Sequence, residues 1–91
     1  MKLFSVHFSA RLNSTNEITN RYIYVYVKKI RSEYMKGMYI VVSNLSDNFE
    51  PPCLIKANNY QGAVKGYLVK TLERINYSLD CLTSNETTLK N

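Results

Sequence analysis

Ninety-one residues suffice for one small domain with a modest core, and they are too few for two domains. The apolar fraction of 45% argues against a disordered chain, and the sequence has no run of about 20 apolar residues that would span a membrane. The net charge is +5, and residues 1–46 carry all of the excess, with seven Lys or Arg against two Glu.

The pattern from Lys2 to Leu12 alternates and predicts a strand with one buried face. The predicted core row is Phe4, Val6, Phe8, Ala10 and Leu12, and the opposite row is Leu3, Ser5, His7, Ser9 and Arg11. The polar residues also interrupt the continuous apolar stretch that a signal peptide requires. We therefore expect a cytoplasmic protein.

Residues 13–20 are rich in turn formers and predict a hairpin loop, after which RYIYVYVKKIR, residues 21–31, predicts a second strand. One row of this strand is aliphatic, namely Ile23, Val25 and Val27, and the other holds Tyr22, Tyr24 and Tyr26. A tyrosine hydroxyl needs a hydrogen-bond partner, so we assign the aliphatic row to the core and the tyrosine row to a half-solvated face. Tyr39 of the next strand lies on the same face or on the opposite one, depending on the register in which that strand pairs.

The rest of the chain predicts three shorter strands and a helix. A turn at 32–37 leads to a third strand at 38–45, a Pro-containing loop at 46–53 that Phe49 anchors on the core, and a short edge strand at 53–57. A final strand is predicted at 77–82. Residues 83–91 are expected to form a flexible tail, so that the domain spans residues 1–82.

The helix is predicted from a capping box, in which Asn58 begins the helix and Gln61 returns to its amide. Asn76 ends the helix in a left-handed conformation. The apolar stripe at helical spacing comprises Tyr60, Val64, Tyr67, Leu68, Thr71, Leu72 and Ile75. Gly62 and Gly66 are expected to bring the helix backbone close to the sheet or to a partner.

These elements predict an α+β fold in the order β-β-β-(β)-α-β, an antiparallel sheet of four to five strands with one amphipathic helix packed on one face. A helix of about 16 residues covers one face of such a sheet. The other face is left to solvent, to a partner or to a second copy of the chain, so a homodimer is permitted.

Catalytic and metal-binding motifs are absent from the sequence. His7 is the sole histidine, and Cys53 and Cys81 are 28 positions apart without the spacing of a zinc site. We assign no catalytic residue, metal or cofactor and expect a protein that is not an enzyme. In a cytosolic chain, both cysteines are expected to be small buried side chains.

Three interpretations of the tyrosine row stay open. It is an ordinary solvated row of β-formers, a protein interface enriched in tyrosine and arginine, or a platform on which nucleic-acid bases stack. The adjacent basic cluster is either a solubilising surface or a patch that attracts an anionic partner. The residues assigned to partner binding are Arg21, Tyr22, Tyr24, Tyr26, Lys28, Lys29, Arg31 and Lys36.

In size, single α+β domain, absence of catalytic motifs and interface-rich surface, the chain resembles the small phage-encoded anti-CRISPR proteins that act on type I surveillance complexes. The resemblance implies a protein of phage or mobile-element origin in the cytoplasm of a host cell. It would bind Cas subunits along the guide RNA and prevent target DNA from hybridising. The alternative function is that of a small basic protein that binds DNA or RNA with little sequence preference.

Overall fold

The computed structural model describes residues 1–44 and 52–87 of the chain. The elements are β1 (Lys2–Leu12), β2 (Ile18–Lys29), β3 (Met38–Ser43), β4 (Cys53–Lys56), α1 (Tyr60–Arg74) and β5 (Tyr77–Thr87). The five strands form one sheet in the order β4-β3-β2-β1-β5, in which all neighbours are antiparallel. The predicted α+β fold and its order of elements are confirmed.

Helix α1 covers one face of the sheet and buries most of its predicted stripe. The buried helix residues are Ala63, Val64, Tyr67, Leu68, Thr71 and Leu72, and they meet a sheet surface built from Phe4, Val6, Phe8, Val25, Val27 and Val41. Gly66 permits this close contact, because a Cβ at that position would lie 3.0 Å from Ile55 Cγ2. The helix backbone therefore rests directly on β4 at Gly66, as the sequence predicted, whereas a Cβ at Gly62 would meet Asn59 and Ala57 rather than a strand.

The start of the helix differs from the prediction by one residue. Asn59 has the extended backbone of a cap residue, and its side-chain oxygen accepts a hydrogen bond of 2.7 Å from the amide of Gly62. The capping box of Asn58 and Gln61 is therefore wrong, since Asn59 offers the same chemistry one position later. The predicted end is confirmed, because Asn76 adopts a φ of 63°.

Strand β5 is longer than the sequence predicted. It continues past Leu82 to Thr87 because β1 offers a partner of equal length, and the pairing extends to Leu3 opposite Thr87. Residues 83–87 therefore belong to β5, which corrects the predicted end of this strand at Leu82. Residues 88–91 and Phe49 lie outside the described residues.

The register of the sheet determines the face of Tyr39, which the sequence left open, and corrects the expectation for the cysteines. Tyr39 is 2% exposed on the helix-covered face, where its ring meets Tyr60 edge-on at 5.2 Å, so it does not join the tyrosine row. Cys81 is exposed rather than buried, because it lies beside Ser9 near the β5 edge of the open face, and Cys53 is half-buried. Cys53 and Cys81 are not joined by a disulfide bond.

Candidate binding surface on the open sheet face

The alternation of β2 sends its side chains to two different environments. Ile23, Val25 and Val27 are buried beneath the helix, whereas Tyr22 and Tyr24 are 76% and 52% exposed. Tyr26 is half-buried on the same open face. The predicted assignment of the two rows is confirmed, and we call Tyr22, Tyr24 and Tyr26 the tyrosine row.

The ring of Tyr22 is held in place by a neighbour on β1. His7 lies directly opposite Tyr22, and the two rings stack with centroids 4.2 Å apart and planes 6° from parallel. This contact orients an aromatic surface before any partner arrives, which reduces the entropy lost on binding.

Tyr24 is positioned through its backbone. Its amide donates to Asn44 Oδ1 at 2.8 Å, and the amide of Asn44 donates to the Tyr24 carbonyl at 3.3 Å. These two bonds pair β2 with the residue that follows β3. The phenol ring is left to project from a fixed strand.

An aliphatic patch lies beside the tyrosine row on the open face, and we define it as Leu3, Ile40, Val42 and Leu54. Leu3 and Val42 flank Tyr26 on its two neighbouring strands, and Ile40 lies between Lys28 and Leu54. Leu3 is 8% exposed although no helix covers it, whereas Leu54 is 49% exposed. An apolar centre bordered by tyrosines and cations is the usual composition of a protein interface.

At one end of the sheet, a concavity of about 500 Å³ is lined by Met1, Lys28, Lys29, Ile30, Arg31, Ile40 and Tyr60. We call this region the basic end. Within residues 1–44 and 52–87, no acidic residue lines it, and neither lysine nor the arginine forms an ion pair. The first turn of α1, which begins at Tyr60, also contains no acidic residue. Within the part of the chain that the structure describes, no carboxylate therefore balances the positive charge of the basic end.

The predicted site residues do not all share one surface. Lys28 and Lys29 come from opposite faces of β2 and meet at the end of the sheet. Lys36 is exposed in the turn before β3. Arg21 lies opposite Phe8 on the helix-covered face, where it lines a separate cleft of about 140 Å³, so it does not extend the tyrosine row.

The sequence prediction did not include the aliphatic patch in the site. Strand β3 is apolar in both of its rows, so its composition alone does not say which row faces away from the helix. Leu54 and Ile40 become neighbours only through the pairing of β3 with β4. The available signal was the doubly apolar pattern itself, which indicates that β3 carries apolar side chains on both faces of the sheet.

The part of the chain that the structure describes contains no group of three or more His, Cys, Asp or Glu side chains that could hold a metal ion. None of its helices combines the length and the apolar character needed to cross a membrane. Comparison with protein-family models, curated proteins and solved structures finds no significant match to the chain.

Proposed function

We propose that this protein is a non-enzymatic binding protein that blocks a host nucleoprotein complex by covering its surface, in the manner of the anti-CRISPR proteins that it resembles. One observation carries the proposal: exposed tyrosines and an aliphatic patch adjoin a basic end whose cations form no ion pair with the described residues. The first two surfaces suit a protein, and the third suits nucleic acid.

Contact with protein is supported by the chemistry of the open face. Tyr22 and Tyr24 are large, exposed and held by His7 and Asn44, and aromatic anchors of this kind dominate the energetics of many interfaces. Leu54 and the half-buried Ile40 add apolar area that a solvated sheet face has no need to carry. In the proposed complex, this half of the surface contacts a Cas subunit.

Contact with nucleic acid is supported by the basic end. Lys28, Lys29 and Arg31 surround one concavity, and no carboxylate of the described residues is among those that line it. Lysine and arginine bind phosphate oxygens by charge-assisted hydrogen bonds. In the proposed complex, these residues contact the guide-RNA backbone or occupy the path of the target DNA, and either contact prevents hybridisation.

The proposal is tested by affinity capture. Tagged protein is incubated with a lysate of cells that contain a type I surveillance complex, and the lysate is treated with nuclease before recovery. We expect the protein subunits of the complex to be recovered in fixed proportion, since the aromatic contacts do not depend on free nucleic acid. Recovery of nucleic acid alone, or of nothing, contradicts the proposal.

Charge reversal at the basic end provides a second prediction. Replacing Lys28, Lys29 and Arg31 by glutamate is expected to weaken partner binding by roughly tenfold or more, because attraction to phosphate becomes repulsion. The thermal midpoint should stay nearly unchanged, since these side chains form no ion pair within the described chain. Titration and thermal unfolding measure the two effects.

A matched control is available on the outer side of the helix. Lys65, Lys70 and Arg74 are exposed, and their replacement by glutamate changes the net charge by the same amount. This control should bind the partner nearly as well as the native protein. If both triple variants lose the same affinity, net charge rather than the basic end is responsible.

A second candidate function is direct, sequence-tolerant binding of DNA or RNA. The stacked pair of His7 and Tyr22 favours it, because an ordered ring on an exposed sheet face provides a platform for a base. A direct binder loses affinity for single-stranded nucleic acid steeply as salt rises, in proportion to the phosphates that it neutralises. A shallow salt dependence of partner binding favours the nucleoprotein inhibitor.

A further inference from the structure

Strand β5 is an unusually open edge of the sheet. It spans Tyr77–Thr87, about 35 Å at the rise of an extended chain, whereas the other edge strand is the short Cys53–Lys56. Long edge strands are commonly protected by lysine or proline, and the sequence of β5, YSLDCLTSNET, contains neither. Among the described residues β5 pairs only with β1, so one side of its backbone has no partner strand.

The backbone groups on that side can be assigned from the hydrogen bonds at the end of β1. The amide of Leu12 donates to Glu17 on the β2 side, and the amide of Asn13 donates to Asn76 on the β5 side, each at 2.9 Å. Because such bonds alternate along an antiparallel ladder, the odd-numbered residues of β1 bond to β5. In the register of the two strands, the backbone amides and carbonyls of four β5 residues therefore point toward β1, namely those of Cys81, Thr83, Asn85 and Thr87. The amides and carbonyls of Leu82, Ser84 and Glu86 point outward.

The outward groups have a symmetry that fits a second copy of the same strand. The register with β1 shifts between Ser9 and Ala10, where Asp80 is the extra residue, and the ladder is regular from Cys81 to Thr87. The midpoint of this regular segment is Ser84, whose amide and carbonyl point outward. A two-fold axis at Ser84 would therefore pair the whole segment with itself, with on the order of six backbone hydrogen bonds.

Charge does not oppose this pairing. Glu86 contacts Lys2 at 3.5 Å and Asp80 contacts Arg11 at 3.1 Å, so both carboxylates of β5 are compensated within their own chain. In the two-fold arrangement, Glu86 would face Leu82 of the second copy rather than another acid. The basic end lies toward β2 and β3, and two copies joined through β5 keep their cationic surfaces apart.

We propose that the protein forms a homodimer in which β5 pairs antiparallel with β5 of a second copy about a two-fold axis at Ser84. The product is one continuous sheet of ten strands. An axis perpendicular to that sheet leaves both tyrosine rows on the same face. This inference rests on the open edge and does not depend on the proposed function.

The first experiment removes one outward amide. Ser84→Pro deletes an N–H that makes no bond to β1, and proline is tolerated on an edge strand at such a position. Sedimentation equilibrium at tens of micromolar should find a dimer for the native protein and at least a tenfold higher dissociation constant for Ser84→Pro. Ser84→Ala keeps the amide and should remain dimeric. A monomeric native protein overturns the proposal, as does a folded Ser84→Pro variant with native dimer affinity.

The second experiment tests the register without disturbing the edge backbone. In the proposed dimer, position 87 lies directly opposite Cys81 of the second copy, and non-hydrogen-bonded pairs of this kind bring Cβ atoms within about 4.5–5.5 Å. Thr87→Cys should therefore form a disulfide-linked dimer on mild oxidation. The same substitution combined with Cys81→Ser should not, and Asn85→Cys should link far less. The proposed register is overturned if Thr87→Cys and Asn85→Cys give equal amounts of disulfide-linked dimer, or if neither gives any.

Discussion

Tyr67→Ala should lower the free energy of unfolding by about 3–5 kcal/mol, a large share of the total stability of a domain of this size. The Tyr67 side chain is 1% exposed between α1 and the sheet, and its hydroxyl lies 2.6 Å from Ser43 Oγ. Truncation would leave a cavity that the packed strands cannot fill. It would also remove a buried hydrogen bond that links the helix to β3.

Urea unfolding separates these two contributions. Tyr67→Phe keeps the ring and removes the hydroxyl, so we expect a loss of about 1 kcal/mol. Tyr34→Ala is the matched control, because Tyr34 is 96% exposed and its truncation should change stability by less than about 0.5 kcal/mol. A Tyr67→Ala variant as stable as Tyr34→Ala would contradict the packing of the helix on this face.

Replacing Tyr22 and Tyr24 together by alanine should weaken partner binding by on the order of 100-fold or more. Interface hot spots lose about 2 kcal/mol or more on truncation, which corresponds to roughly 30-fold each. Both rings are exposed; the stack on His7 orders the Tyr22 ring, and the hydrogen bonds to Asn44 fix the backbone from which the Tyr24 ring projects. Because neither ring contributes to the buried core, the stability of the variant should be nearly native.

Calorimetric titration of the captured partner measures this effect, with urea unfolding of the same preparation as the check on folding. Tyr34→Ala again supplies a control, since it removes an exposed tyrosine outside the tyrosine row. Tyr22→Phe tests whether the ring or its hydroxyl makes the contact. Unchanged affinity in the double alanine variant would exclude the tyrosine row as the binding surface.

Strand β2 illustrates what the sequence could predict. Its two rows differ in chemistry, aliphatic at Ile23, Val25 and Val27 and phenolic at the tyrosine row, so alternation alone assigns each row to a face. Strand β3 lacks this contrast because both of its rows are apolar. Its register depends on the turn that ends at Gly37, where φ is 74°, and that geometry is not encoded in a periodic pattern. The position of Tyr39 was therefore unpredictable by the argument that succeeded for Tyr24.

The basic end could be predicted only in part. Lys28, Lys29 and Arg31 are close in sequence, so a cluster of cations was evident. The concavity that they line also requires Met1 and Tyr60, and only the folded sheet brings those residues to the same place. Arg21 was assigned to partner binding together with these residues, but it lies elsewhere, on the helix-covered face. Strand alternation, which separates Arg21 from Tyr22, is the better guide.

The position of β1 has a consequence for how the chain folds. This first strand lies between β2 and β5, so its ladder is completed only by contacts such as Leu3 opposite Thr87, which join opposite ends of the described chain. The chain must lose the entropy of closing this long loop before the contacts between β1 and β5 form. Domains with many such long-range contacts fold slowly. During synthesis, β1 and β2 can form a hairpin at once, while the other side of β1 waits for β5. Of the five strands, β5 is thus made last, and it completes the second side of β1.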